Sequence, residues 1–249
     1  MVITSHDNAK IAEIVKLSQK KYRRLTGRYV IEGARLVHDA IEHGAKITGV
    51  YVAESVADSF DFDGQVVVAD RLFAKICDTV NSQGVVAVVE TEQGEFRAPT
   101  GNCLVLDGLQ DPGNVGTLIR TAAACGFTDV YAVNSVDLYS PKVLRSAMSA
   151  HFCVKLHELD SIEQAFSLLD GVQIVCADMG GSNVFDSELT GKIALVLGNE
   201  GNGLSDYSLS HASRIVALPM ANGFESLNVA VAGSVIMYQI YSQQSNIRR

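Results

Sequence analysis

Beyond residue 102 the chain repeats one pattern: a short apolar run, a turn, then a segment whose apolar positions recur at helical spacing. The runs Cys103–Asp107, Val130–Val133, Phe152–Leu156, Gln173–Ala177, Ile193–Leu197 and Ile215–Leu218 read as strands. The segments Asn114–Cys125, Pro141–Ala150, Ser161–Leu169 and Ser226–Tyr241 read as helices. Gly126 closes the first, Ser140 caps the second with Pro141 in its first turn, and Asp170-Gly171 closes the third. Alternation of this kind implies an α/β fold, a parallel sheet with helices on both faces. Ligands of such sheets sit beyond the carboxyl ends of the strands. Three Gly/Asn-rich loops fall there: Gly108–Gly116, Gly198–Gly203 and Asn222–Asn228.

The residues before this region alternate on a smaller scale. Ser5 or Asp7 can cap a helix with Ile11, Ile14 and Val15 at helical spacing, and the basic run Lys20–Arg24 follows at its end. Tyr29–Ile31 then predicts a strand, Ala34–His43 a helix closed by Gly44, Ile47–Val52 and Val66–Ala69 strands, Arg71–Val80 a helix, and Val85–Glu90 a strand. The stretch Gly94–Asn102 is polar, carries Pro99 and lacks periodicity. These features divide the chain into a domain over residues 1–93, a linker over 94–102 and a second domain over 103–249.

With 249 residues, 47% of them hydrophobic and 19% charged, the chain can bury one or two substantial cores. Its net charge of −8 argues against a nucleic-acid partner, but the average conceals a segregation. Met1–Arg35 holds eight basic residues against three acidic ones, so the remainder is strongly acidic. Such an arm suits an approach to phosphates, and a solvated helix face explains the same residues. The five cysteines are scattered and odd in number, as in the core of a protein in a reducing cytoplasm. No Cys-x-x-Cys or His-x-x-x-His spacing offers a metal site. Leu227–Tyr241 is apolar but shorter than a membrane span, which favours a buried or subunit-interface helix. Ser5, His6, Asp7 and Asn8 interrupt any leader-like pattern at the start.

The loops lack the Gly-x-Gly-x-x-Gly of a dinucleotide site, and neither a P-loop, a Gly-x-Ser-x-Gly elbow nor a zinc helix occurs. What remains is a pocket of backbone groups, amides and hydroxyls with one arginine and one glutamate, which favours binding and transfer over nucleophilic hydrolysis. Asn114 reads as an N-cap, with Arg120 two turns on, within reach of the same crevice. Arg120 lies among Leu118, Ile119 and Ala122–Ala124, where a charge needs a partner. Taken singly, Asn114, Ser226 and Asn228 are equally consistent with capping, Arg120 with a surface arginine and Glu200 with a solvated turn.

Three motifs together resemble the SpoU (TrmH-type) RNA ribose 2′-O-methyltransferases of the SPOUT class: Asn114-Val-Gly-Thr-Leu-Ile-Arg120, Gly198-Asn-Glu-Gly-Asn-Gly-Leu204 and Ser226-Leu-Asn-Val-Ala-Val-Ala232. Ser140-Pro-Lys-Val-Leu-Arg145 resembles the family's connecting segment. Ile3–Lys10 with Tyr29–Gly33 is similar to the ribosomal-protein-like domain often attached to these enzymes. The resemblance implies an S-adenosylmethionine site in a deep trefoil knot, against the general rarity of knots. It implies cofactor contacts at Leu197, Gly198, Leu218, Met220, Leu227 and Asn228, and catalytic roles for Asn114, Arg120, Glu200, Ser226 and Asn228. Arg120, which stays protonated, would stabilise the developing ribose alkoxide and hold the adjacent phosphate, while Glu200, Ser226 and Asn114 orient it or pass on the proton.

The resemblance further implies a homodimer with each site completed across the interface. Lys20, Lys21, Arg23, Arg24, Arg28 and Arg145 would hold RNA phosphates, with 23S ribosomal RNA as the expected substrate and transfer RNA the alternative. Two other readings compete: an RNA-binding protein that keeps the fold without catalysis, and an α/β enzyme acting on a small metabolite.

Overall fold

The computed structural model describes residues 2–79, 81–92, 96–223 and 225–245. The fold divides into two units, Met1–Gly94 with Tyr139–Leu144, and Glu95–Leu138 with Arg145–Arg249. The start of the expected linker, Gly94 and Glu95, lies outside the described residues.

The first unit contains β1 (Val2–Ile3), α1 (Ala9–Leu17), α2 (Lys20–Thr26), β2 (Arg28–Glu32), α3 (Ala34–Glu42), β3 (Ile47–Ala53), β4 (Val66–Val68), α4 (Asp70–Phe73) and β5 (Val85–Glu90). Its sheet runs β1-β4-β3-β5-β2, with β5 antiparallel to both neighbours and the other pairs parallel. Ile11, Ile14 and Leu17 of α1 pack with Tyr51, Leu72, Phe73, Val86 and Val88 to form its core. The cap of α1 is Asn8, whose side chain accepts from the Lys10 N–H at 3.0 Å, and not Ser5 or Asp7. The basic run forms its own helix, α2, ended by Gly27 at φ 63°. The helix expected over Arg71–Val80 stops at Phe73. Glu32 explains part of this, because its carboxylate accepts from the N–H groups of Asp78 and Thr79 and holds that backbone out of a helix. Val80 lies outside the described residues.

Beyond residue 102 the chain forms β6 (Cys103–Asp107), α5 (Pro112–Ala124), β7 (Asp129–Val133), α6 (Pro141–Ala147), β8 (Lys155–Leu159), α7 (Ile162–Ser167), β9 (Gln173–Asn183), β10 (Ile193–Gly198), α8 (Asp206–Ser210), β11 (Arg214–Ala217) and α9 (Val229–Gln244), with the first residues of α6 belonging to the first unit. The sheet order is β11-β9-β10-β6-β7-β8, and all five pairings are parallel, as the alternation predicts. Its central strands β6 and β10 are fully buried along most of their length, consistent with near-continuous apolar runs.

Three boundaries differ from the sequence reading. Helix α5 begins earlier, with Pro112 in its first turn and Asp111 as the cap, whose carboxylate accepts from the Asn114 N–H at 2.9 Å; Asn114 is therefore inside the helix. Residues Met148–Phe152 form a 3₁₀ turn after α6, so the strand starts at Lys155, opposite Asp129 of β7, and not at Phe152. Helix α9 begins at Val229, leaving Ser226 and Leu227 in the preceding loop. Strand β9 is also longer than expected. It pairs with β11 through Cys176 and again from Ser182, with Ala177–Gly181 bulged out between.

Among the described residues, no helix is long and apolar enough to cross a membrane. No group of three or more His, Cys, Asp or Glu residues there could hold a metal ion.

Candidate active site

The carboxyl ends of β9, β10 and β11, with the segment before α9, enclose a cavity of about 850 Å³. Leu197, Gly198, Glu200, Leu218, Met220, Ser226, Leu227 and Asn228 all line it. The backbone at Gly198 leaves no space for a side chain: a Cβ there would stand 2.4 Å from the carbonyl carbon of Gly203 and the nitrogen of Leu204.

Hydrogen bonds tie the three loops together. Glu200 Oε1 accepts from the Asp111 N–H and from Asn114 Nδ2, both at 3.2 Å, and Oε2 accepts from the Gln110 N–H, also at 3.2 Å. Asn114 Oδ1 in turn accepts from Asn228 Nδ2 at 3.0 Å. Asn228 Oδ1 completes the chain by capping α9, accepting from the N–H groups of Ala230 at 2.9 Å and Val231 at 3.3 Å. Partial burial acts to raise the Glu200 pKa, but hydrogen bonds from its own N–H, Asn114, Asp111 and Gln110 outweigh it and hold the carboxyl below its ordinary value. Glu200 is therefore a charged clamp between loops, a poor group for taking up a proton.

Two residues without a place in the sequence reading organise this region. Asn199 donates through Nδ2 to the Gly108 carbonyl at 2.7 Å, and its Oδ1 accepts from the N–H groups of Gly201 and Asn202. Asp107, at the end of β6, accepts from the Ser205 N–H at 3.0 Å and from the hydroxyls of Ser205 at 2.6 Å and Ser208 at 2.7 Å. It fixes the far end of the Gly198–Gly203 loop to the start of α8. The bulge of β9 adds Asp178, Met179 and Gly181 to the cavity wall. The only sequence signal for that wall is Gly180-Gly181 interrupting an apolar run.

Arg120 stands apart from the network. It is exposed on α5 and makes no hydrogen bond or ion pair among the described residues, so its apolar neighbours point inward without burying it. Helix α5 packs on α9, where Thr121 and Ser234 share a 2.9 Å hydrogen bond and Gly233 admits Leu118 and Leu197 at distances no Cβ would tolerate.

The basic residues of the first unit are not equivalent. Lys21 and Arg24 are exposed and Lys20 is half-buried. Arg23 is only 6% exposed, and its guanidinium donates to the carbonyls of Leu17 at 2.7 Å and Ser18 at 2.8 Å. This corrects the expectation of a free phosphate contact, because the group closes the C-terminus of α1. Arg28 is paired with Glu13 at 2.9 Å and Glu90 at 3.4 Å. In the second unit, Arg145 is exposed.

Comparison with known proteins gives a consistent picture. Residues 101–238 match the model of the SpoU rRNA Methylase family, and residues 8–87 match that of the MRM3-like substrate binding domain. A Synechocystis protein described as an uncharacterized tRNA/rRNA methyltransferase is 32% identical over 97% of this chain and 94% of its own length. The 23S rRNA (guanosine(2553)-2′-O)-methyltransferase RlmP of Bacillus subtilis is 30% identical over 96% of this chain and 98% of its own. The crystal structure of an AdoMet-bound rRNA methyltransferase from Sinorhizobium meliloti superposes with a TM-score of 0.84 at 28% identity, covering 96% of this chain and 97% of that one.

Proposed function

This chain belongs to the SpoU rRNA Methylase family, and from that premise we propose that it transfers the methyl group of S-adenosylmethionine to a ribose 2′-hydroxyl of 23S ribosomal RNA. The observation that carries the reading is the tie between the three loops: Glu200 and Asn228 line the cavity, and Asn114 of the first loop is hydrogen-bonded to both.

The cavity suits the cofactor. Its volume of about 850 Å³ lies in the range of small-molecule sites. Leu197, Leu218 and Leu227 offer apolar walls for an adenine, Gly198 lets main chain approach closely, and Met220 and Asn228 complete the set. When bound, the cofactor supplies an electrophilic methyl group on a sulfonium sulfur. Arg120, permanently charged and unpaired among the described residues, stabilises the developing 2′-alkoxide and holds the neighbouring phosphate. The Ser226 hydroxyl in the cavity wall can receive the 2′-proton and relay it to solvent. Glu200 keeps Asn114 oriented, and Asn114 keeps Asn228 oriented.

The reading extends to assembly. Val231, Val235 and Tyr238 are exposed along α9, the helix packed on α5, with Leu227 exposed in the loop before it, and this apolar surface supports a homodimer that brings Arg120 to a completed site. Membership of the SpoU rRNA Methylase family supports a deep trefoil knot in the domain over residues 103–249. Residues 1–93 serve as the RNA-binding domain through Lys20, Lys21 and Arg24, joined by Arg145 from the second, with residues 94–102 as the linker. Five free cysteines support a cytoplasmic setting.

Incubating the protein with tritiated S-adenosylmethionine, 23S ribosomal RNA and transfer RNA tests the proposal. The expected label is in 23S RNA and survives alkali in an uncleaved dinucleotide, because a methylated 2′-oxygen cannot attack the phosphate. Label on a base, or in transfer RNA alone, overturns it.

A further inference from the structure

We propose that Asp178 makes the cavity select the cationic methyl donor over its neutral product. The inference deepens the reading above and rests on the cavity being the cofactor site.

Three observations carry it. First, Asp178 belongs to the bulge Ala177–Gly181, whose shape is fixed rather than incidental. Asp178 Oδ1 accepts from the Gly180 N–H at 2.9 Å, and Gly181 lies so close to β11 that a Cβ would stand 2.6 Å from the nitrogen and carbonyl carbon of Val216. Second, the ionisable residues lining the cavity are Asp178, Glu200 and Glu225, and no Lys, Arg or His is among the described lining residues. Third, the carboxylates differ in what they have left to offer. Glu200 is engaged by Gln110, Asp111 and Asn114, and Glu225 is exposed in the loop before α9. Asp178 is half-buried and retains acceptor capacity beyond its bond to Gly180.

S-adenosylmethionine and S-adenosylhomocysteine have the same adenosine and the same amino-acid end, whose ammonium and carboxylate offset each other. They differ by one methyl group and one permanent positive charge on sulfur. A cavity with a partly desolvated carboxylate and no cation in its wall therefore favours the donor. Once the charge is gone, the same wall gives the thioether no electrostatic hold, which favours exchange of product for fresh donor.

Isothermal titration of the full-length protein with each compound tests this. The substitution Asp178→Asn keeps an oxygen for the Gly180 N–H and removes the charge. The expected result is a loss of about tenfold in donor affinity, equivalent to about 1.4 kcal/mol, with a loss under about threefold for the product. Equal losses for both compounds assign Asp178 to the shared amino-acid end and overturn the proposal, as does an unchanged ratio. A thermal melt establishes that the variant is folded. A second measurement needs no variant: sinefungin, in which a protonated amine replaces the methyl sulfonium, binds the unsubstituted protein more tightly than the thioether does. If it binds no better, the proposal fails. Failure of the unsubstituted protein to bind either compound removes the cofactor reading itself, whereas binding of both with a ratio insensitive to Asp178 removes this inference alone.

Discussion

Asn228 performs two tasks with two different atoms, and substitution can separate them. Its Oδ1 caps α9 by accepting from Ala230 and Val231, while its Nδ2 donates to Asn114. Asn228→Ala removes both, and loss of an N-cap costs about 1–2 kcal/mol. For a chain of this size each kcal/mol moves the melting temperature by about 2–4 °C, so a fall of about 2–8 °C is expected. Asn228→Asp keeps the capping oxygen, and a negative charge at a helix N-terminus adds slight support, so the capping contribution is retained and the remaining fall in stability reports the broken bridge to Asn114. The bridge, however, now sets an oxygen against Asn114 Oδ1. Asn114 cannot escape by flipping, because its Nδ2 is held by Glu200 and a flip would aim oxygen at that carboxylate. Losing one hydrogen bond and gaining a repulsion is expected to lower donor affinity or turnover by about tenfold, or about 1.4 kcal/mol. Protonation of the introduced carboxyl restores a donor, so its pKa is raised and the deficit narrows as pH falls. Thermal melts, titration of S-adenosylmethionine and methyl-transfer rates at several pH values measure all three effects. An Asn228→Asp variant with unaltered affinity and turnover at neutral pH would refute the linked-loop argument.

Other consequences are equally open to measurement. Gly198→Ala forces a Cβ to 2.4 Å from backbone, so a stability loss of about 1–3 kcal/mol and weakened cofactor binding are expected in melts and calorimetry. Arg120→Lys leaves the melting temperature and cofactor affinity unchanged, since the residue is exposed, but lowers methyl transfer; full activity with an unchanged pH profile contradicts a bidentate role. Arg23→Ala lowers stability by about 1.5–3 kcal/mol through its lost bonds to Leu17 and Ser18. Lys21→Ala leaves stability intact and reduces the salt dependence of RNA binding by about 0.7–0.9 in logarithmic slope. Asp129, 4% exposed, is paired with His157 at 2.9 Å and accepts from Thr128 at 2.6 Å. Burial acts to raise its pKa, but those bonds outweigh it and the net shift is downward. Its contribution to stability is therefore present above the ordinary carboxylate value and lost as pH falls through the lower folded value. In urea titrations the advantage over Asp129→Asn should narrow below about pH 4.

The strand–helix alternation was legible because burial on both faces of a parallel sheet writes long apolar runs into the sequence. Helix starts were less so. Several side chains near a start can cap, and only the backbone path decides that Asp111 rather than Asn114, or Asn8 rather than Ser5, reaches the free N–H. The Arg71–Val80 helix failed for a related reason, since a carboxylate far along the chain, Glu32, captures its backbone. Charge alone does not distinguish Arg23 from Lys21, although one is buried against α1 and the other exposed. The motif loops were visible as loops, but their linkage through Glu200, Asn114 and Asn228 is a tertiary fact. Asp178 carries no local sequence signal, because its bulge depends on pairing with β11, about forty residues away.

Mapping ribose 2′-O-methylation at nucleotide resolution across total RNA, from cells with the intact gene, cells lacking it and cells carrying only Arg120→Ala, tests the central claim most directly. One 23S ribosomal RNA position is expected to be methylated with the intact gene and unmethylated in both other strains. An identical 2′-O-methylation map in all three, or a lost site confined to transfer RNA, would contradict it.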